Sequence, residues 1–279
     1  MTLLADTGWA KINLALHVRA RRADGYHALE TLFAFADDGD RLTAAPADTL
    51  TLAVEGPFGR ALAAEPDNLV LRAARGLARR HGVTAGAALR LDKRLPVAAG
   101  LGGGSADAAA ALRLLGRLWG IDDAAGLRAI AAELGADVPA CLHSRTMRGE
   151  GRGDALAPVA DGGLAGMALL LVNPGVPLAT GPVFRGWDGQ DRGPLEGGDP
   201  LAAALAGRND LEPPAVALVP AIGAVLARLA ACDGVVLARM SGSGATCFAL
   251  FESVAARDRA AAAVAAGQPG WWCLAARLR

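Results

Sequence analysis

Residues 95–116, LPVAAGLGGGSADAAAALRLLG, put four glycines into the five positions 100–104 and then pass directly into alanine and leucine. Glycine opens the backbone to turns, whereas alanine and leucine are the best helix formers. The junction therefore predicts a loop that delivers the chain into a helix from Ala106 to about Trp119. Such a junction presents amides unobstructed by Cβ atoms and the positive end of a helix dipole, which suits phosphate. One glycine normally suffices at a helix end, so four are more than a cap needs. The bland reading is a flexible corner with Ser105 as a plain N-cap. In the other reading the Ser105 hydroxyl could touch a phosphate or approach a metal. Two standard phosphate motifs fit poorly. No lysine follows Gly104 as a Gly-Lys-Ser/Thr loop requires. The spacing Gly100-x-Gly102-x-x-Ser105 ends on the wrong residue and lacks a repeating βαβ context.

Around this junction, residues 9–18 (WAKINLALHV) alternate Ile12, Leu14, Leu16 and Val18 with small or polar neighbours, the period of a strand. DGYH (24–27) supplies a turn, and residues 28–37 read as a second strand. Residues 40–46 and 48–56 read as a hairpin pair. A capping Asp67 or Asn68 and a closing Gly82 bracket a helix over 67–82. A strand over 85–96 is closed by Pro96, and helices cover 106–119 and 122–135. The Pro- and Gly-rich 155–166 is the best candidate boundary, giving domains at 1–158 and 159–279. Beyond it come a strand at 167–172, a polar surface loop at 186–200 and two helical stretches. Strands follow at 234–240, 246–252 and 271–278, with a helix between the last two. Strands and helices mix without regular βα alternation, which predicts an α+β fold.

Composition removes several partners. Lys plus Arg and Asp plus Glu both number 28, for a net charge of zero, so overall charge gives no support to a nucleic-acid or anionic-membrane surface. No apolar run reaches the roughly 18–20 residues that span a bilayer, and the N-terminus has no signal-peptide pattern. Cys141, Cys232, Cys247 and Cys273 are scattered without metal-ligand spacing and read as reduced core thiols of a cytoplasmic protein. Arginine has displaced lysine almost throughout: there are 26 arginines and two lysines, Lys11 and Lys93. A retained lysine hints at a need for a compact, titratable ammonium.

The remaining candidates each carry two readings. Lys11 lies in an apolar strand, where its ammonium needs a cleft or partner unless it turns to water from an edge. Asn13 shares its face. Asp137, in LGADVPACL just past a helix-ending Gly135, is a general base or an N-cap or turn residue. Tyr26 and His27 suit a planar ligand or simply pack in their turn. MRGEGRGD (147–154) and RMSGSGAT (239–246) are further glycine loops; the second brings amides to a phosphate or closes a hairpin. Cys141 has no sign of activation as a nucleophile.

Taken in order, AKINLALHV, RADGYHALETLF, DNLVLRAA, DKRLPVAAGLGGGSADAAAAL, LGADVPACL, GEGRGD, NDLE and SGSGATCFALF resemble the GHMP kinase superfamily. RADGYH and GLGGGSADAA set the chain apart from the homoserine, galactose and mevalonate branches. The resemblance runs from about residue 9 to 250. It implies an N-terminal domain like ribosomal protein S5 domain 2 and a ferredoxin-like C-terminal domain. It implies ATP and Mg²⁺ as cofactors and phosphorylation of the 2-hydroxyl of 4-diphosphocytidyl-2-C-methyl-D-erythritol, in non-mevalonate isoprenoid precursor biosynthesis. By that likeness Lys11 and Asp137 match the catalytic pair. Pro96, Val97, Ala98, Ala99, Gly100, Leu101, Gly102, Gly103, Gly104, Ser105 and Ala106 match the ATP loop. Asn68, Leu69 and Lys93 match positions near the adenine. Asn13, Tyr26, His27 and Thr180 match substrate contacts, with the aromatic pair beside the cytosine. The partner expected is a small molecule, with no nucleic acid or membrane, and the chain a monomer or homodimer. Two positions depart from the pattern. Ala106 stands where a second serine is common, and Gly181 stands where some members carry proline. The Mg²⁺ ligands are not readable; Ser105 is a candidate and Glu150 a weaker one. Another small-alcohol kinase of the superfamily is the alternative enzyme, and a non-catalytic nucleotide-binding regulator the alternative class.

Overall fold

The computed structural model of the chain describes residues 3–62 and 68–279. They form two compact units that interleave along the sequence. The first takes residues up to Ala10, then Asp38–Val97 and Gly102–Ser144; the second takes Lys11–Asp37, Ala98–Leu101 and Arg145–Arg279. The Pro- and Gly-rich stretch at 155–166 lies inside the second unit.

Two long strands, β1 (Leu4–Arg21) and β2 (His27–Ala47), pair with each other and contribute to both units. β1 is buried at every position from Ala10 to Val18, so its alternation does not mark a wet face. Lys11, Asn13 and His17 are as buried as the apolar residues between them.

In the first unit, β3 (Thr51–Glu55) is followed by α1 (Leu69–His81) and β4 (Gly86–Asp92). β4 pairs antiparallel with Arg41–Ala47 of β2 and parallel with β3. The expected hairpin between 40–46 and 48–56 therefore does not form; β4 is inserted between them. The reason is burial. β4 is mostly buried, whereas β3 alternates exposed and half-buried residues and takes the edge. A Cβ on Gly86 would lie 2.4 Å from Thr49 backbone atoms, so glycine lets β4 enter close beside the end of β2. α1 is capped by Asn68, whose Oδ1 accepts the Val70 N–H; Asp67 lies outside the described residues.

Helix α2 (Gly103–Trp119) buries every residue from Ala106 to Leu112. A helix of ordinary side chains has one buried stripe; the run of alanines lets this one be enclosed all round. α3 (Ala124–Leu134) and α4 (Val138–His143) complete the unit. Asp123 caps α3 at the Gly126 N–H.

In the second unit, β5 (Met147–Gly151) pairs with Leu29–Phe33 of β2, and β6 (Ala155–Pro158) pairs with β5. A four-stranded antiparallel sheet follows the order β10-β7-β9-β8, with β7 Ala168–Asn173, β8 Val235–Met240, β9 Cys247–Phe251 and β10 Trp272–Arg277. Its helices are α5 (Thr180–Arg185), α6 (Pro200–Ala206), α7 (Glu212–Leu218), α8 (Ala221–Ala230) and α9 (Val254–Gly267). Leu170, Val172, Val225, Leu229, Phe251 and Val264 anchor its core. Each such side chain contributes about 1.5–3 kcal/mol by leaving water.

No disulfide joins the four cysteines. Burial raises the Cys232, Cys247 and Cys273 thiols above their usual range, which disfavours the reactive thiolate; Cys141 and Cys247 are core residues as expected, whereas Cys232 and Cys273 are only partly buried. Among the described residues no helix is long and apolar enough to cross a membrane.

Candidate functional site

In the first unit the glycine loop ends at the start of α2. Gly102 is the N-cap in the left-handed conformation, φ 60°. The helix begins at Gly103, three residues before the expected Ala106, so Ser105 lies inside the first turn and is not the N-cap. Ala106 N–H donates to Gly102 O at 2.8 Å, which leaves the amides of Gly103, Gly104 and Ser105 without an intrahelical acceptor. These donors and the dipole end are the physical content of an anion-binding loop. A Cβ on Gly104 would stand 3.5 Å from Leu69 Cδ1, so the start of α1 lies beside the exit of the loop. Pro96 is buried and Val97 exposed.

Lys93 is not open to a ligand. It is 1% exposed, and its ammonium donates to Asp40 Oδ2 at 2.5 Å and Asp107 Oδ2 at 2.7 Å. Burial works against its charge, but Asp107 and Asp40 outweigh that and raise its pKa. Burial pushes the Asp107 carboxyl up to about 7 against the pull of Lys93, with the Asp40 charge adding to the rise. The Lys93 ammonium thus serves the protein interior. Its backbone is also engaged, donating to Glu55 O and accepting from Phe58 N.

Asp137 stands at the N-cap position of α4, but its side chain makes no capping bond; the plain N-cap reading does not hold. The other end of α4 is fastened by Arg113, which donates to Cys141 O at 2.9 Å and pairs with Asp6 at 2.7 Å. Arg113 belongs to α2, so the helix bearing Asp137 is tied to the helix that follows the glycine loop.

In the second unit, Lys11 is 3% exposed and donates through Nζ to Asn13 Oδ1 at 2.8 Å. Asn13 Nδ2 donates to Thr31 Oγ1 at 2.7 Å, and Thr31 donates to Ala15 O. The ammonium also lies 5.4 Å from the Phe33 ring centroid. The water-facing reading of Lys11 is therefore replaced by a buried, oriented ammonium. Thr31 was not expected; two residues from Phe33 in TLFAF, it gave no polar signal of its own.

Residues 98–101 are held against the β8–β9 connection. Lys11 N donates to Leu101 O, Thr246 N to Ala99 O, and Ser241 Oγ to Gly100 O at 2.9 Å. Gly100 has φ +76°, and a Cβ there would lie 2.4 Å from Ser241 O. The NDLE segment supports this connection: Asn209 Nδ2 donates to Met240 O and Gly242 O, and Glu212 accepts from Met240 N. RMSGSGAT is thus a hairpin that grips the loop. Thr180 is exposed at the start of α5, its hydroxyl 3.0 Å from that of Ser243.

Tyr26 is 54% exposed, with the Arg152 guanidinium 5.3 Å from its ring centroid. His27 lies 5.0 Å from Phe184 and edge-on to Trp187 at 5.8 Å. Its Nε2 is buried with no hydrogen-bond partner, as is Trp187 Nε1. Burial and the Arg21 charge lower the His27 pKa, so the ring is neutral near pH 7. Phe184 and Trp187 are not among the candidates drawn from the sequence. The signal was there: two of only 12 aromatic residues fall within four positions, close after Thr180.

Among the described residues no group of three or more His, Cys, Asp or Glu side chains could hold a metal ion. Glu150 is paired with Arg148 at 3.1 Å.

Residues 68–145 match the GHMP kinases N terminal domain, and residues 197–269 the GHMP kinases C terminal domain. The chain is 62% identical over 277 residues to the 4-diphosphocytidyl-2-C-methyl-D-erythritol kinase of Rhizorhabdus wittichii, covering 98% of this chain and 94% of that protein. It is 56% identical to the kinase of the same name from Sphingopyxis alaskensis, covering 99% of each. A crystal structure of 4-(cytidine 5'-diphospho)-2C-methyl-D-erythritol kinase matches with a TM-score of 0.82 at 37% identity, over 99% of both chains. With its α+β architecture and both domain matches, the chain belongs to the GHMP kinases, within the family of the 4-diphosphocytidyl-2-C-methyl-D-erythritol kinases.

Proposed function

We propose that this chain transfers the terminal phosphoryl group of ATP to the 2-hydroxyl of 4-diphosphocytidyl-2-C-methyl-D-erythritol, a step of non-mevalonate isoprenoid precursor formation. The observation that carries the reading is the ring cluster of the second unit. His27 holds a buried, unpartnered Nε2 beside Phe184, with Tyr26 exposed next to it in sequence. A cytosine offers such a cluster a flat face and an edge of hydrogen-bonding atoms. A small aliphatic alcohol offers neither.

Phosphoryl transfer asks a protein mainly for positioning and charge. The amides of Gly103, Gly104 and Ser105 bind phosphate oxygens, with Gly102 and Gly103 leaving the approach clear of side chains, and residues 96–101 complete the ATP loop. Asn68 and Leu69, beside the helix start, line the nucleotide. Asp137 accepts the proton of the acceptor hydroxyl. Lys11, aimed by Asn13 and Thr31, stabilises the negative charge of the phosphoryl group in flight. Tyr26, His27, Asn13 and Thr180 contact the acceptor. Mg²⁺ would be held mainly by phosphate oxygens and needs only one or two protein oxygens, which suits the lack, among the described residues, of any group of three or more His, Cys, Asp or Glu side chains able to hold a metal ion; the Ser105 hydroxyl is the candidate. When bound, the ion screens the triphosphate charge.

The test is inhibition by a cytidine nucleotide. It should compete with the acceptor and not with ATP. Inhibition competitive with ATP alone would contradict a cytosine site at His27 and favour another alcohol acceptor.

A further inference from the structure

We propose that Lys93, bridging Asp40 and Asp107, is a positioning residue that fixes the start of α2 for nucleotide phosphate. The proposal rests on the phosphate-loop reading above. Asp40, on β2, is fully buried, and Asp107, in the second turn of α2, is 2% exposed. Asp40 Oδ1 accepts the backbone N–H groups of Arg94 at 2.6 Å and Leu95 at 2.9 Å. Its other oxygen accepts from Lys93, which also donates to Asp107. The incoming stem of the glycine loop and the helix that leaves it are thus joined through one ammonium.

A buried ammonium between two buried carboxyl groups is an expensive way to hold a fold, and an apolar trio of the same volume is often as stable. What the ions add is direction. Each hydrogen bond fixes a distance and an angle, so the first amides of α2 keep one position relative to β4. Gly103 shows how close the fit is: a Cβ there would stand 2.9 Å from Lys93 Nζ. The larger, planar guanidinium of an arginine is a poor match to that space, which accounts for a lysine here in a chain whose only other lysine is Lys11.

The experiment measures ATP and AMP binding by calorimetry in the full chain and two variants, with KM for the acceptor alongside. Asp107→Leu keeps the branched shape and leaves Lys93 paired with Asp40, but removes the link to α2. Its ATP affinity should fall about tenfold or more, as expected when binding groups are misaimed. AMP affinity and acceptor KM should stay within about twofold by the same argument, because neither uses the amides that hold the outer phosphates. Asp107→Asn keeps an oxygen for Lys93 and should bind ATP nearly as the parent does. Lys93→Arg, which keeps the charge but not the shape, gives a second route to the selective ATP loss should Asp107→Leu fail to fold. Unchanged ATP affinity in a folded Asp107→Leu, or an equal loss for AMP, would overturn the positioning role. A parent chain that binds AMP as tightly as ATP would instead defeat the phosphate-loop reading, whatever the variants do.

Discussion

At the residue scale, the roles assigned to Asp137 and His27 make separable predictions. Asp137 makes no capping bond, so Asp137→Asn should leave α4 in place while removing a basic carboxylate. General-base assistance is worth about 10²–10⁴-fold, and kcat should fall in that range with KM for both substrates little changed. A loose transition state, in which the proton leaves late, would put the loss near the lower end. Near-parent kcat in the folded variant would remove Asp137 from the chemistry. For the ring cluster, Phe184→Ala should weaken the cytidine substrate by about 1–3 kcal/mol, the usual worth of stacking on a base, and ATP hardly at all. Because burial and Arg21 hold the His27 pKa below its usual value, the imidazole stays neutral from pH 8 down through 6.5. KM for the acceptor should be flat in His27 protonation over that window and rise only below it, and the rise should be absent in His27→Gln. A rise centred above pH 6.5 would contradict a neutral His27. Tyr26, His27, Lys11 and Asp137 could be singled out from sequence because each is a chemically expensive residue in a turn or an apolar run. Thr31 could not, since a threonine in a strand is ordinary, and Phe184 only through its nearness to Trp187 in a chain poor in aromatics. Only their neighbours make them useful.

At the element scale, the glycines divide by where their missing Cβ would point. Gly100 has a left-handed φ and backbone atoms of Ser241 and Gly244 within 3 Å of its Cβ position, whereas Gly104 meets only Leu69 at an ordinary distance. Gly100→Ala should cost at least about 1–2 kcal/mol from φ alone and loosen the hold on residues 98–101. Its melting temperature should fall and KM for ATP rise. Gly104→Ala should melt with the parent. Equal behaviour of the two would reduce the run to a spacer. The glycine-to-alanine switch announced a loop and a helix, but not that the helix begins at Gly103, because glycine is a poor helix former and only the left-handed turn at Gly102 favours starting there. The hairpin expected over 40–56 failed for a different reason. Alternation identifies a strand without identifying its partner, and the partner of Arg41–Ala47 of β2 is the distant β4 (Gly86–Asp92), chosen by burial.

At the scale of the whole molecule, both units carry residues of the proposed chemistry: Asp137 and the α2 amides in the first, Lys11 and the ring cluster in the second. The α+β class was legible because strands and helices mix without alternation. The interleaving of the units was not, because β1 and β2 each run through both without a break in pattern. The small-alcohol alternative and the non-catalytic alternative differ from the proposed activity in a single observable, the acceptor-dependent release of ADP. Purified chain, ATP and Mg²⁺ should release one ADP for each 4-diphosphocytidyl-2-C-methyl-D-erythritol consumed, with phosphorus NMR showing a new phosphomonoester, and should release no more with homoserine or mevalonate than with no acceptor. ADP release that ignores the cytidine substrate, or that is matched by either small alcohol, would contradict the account.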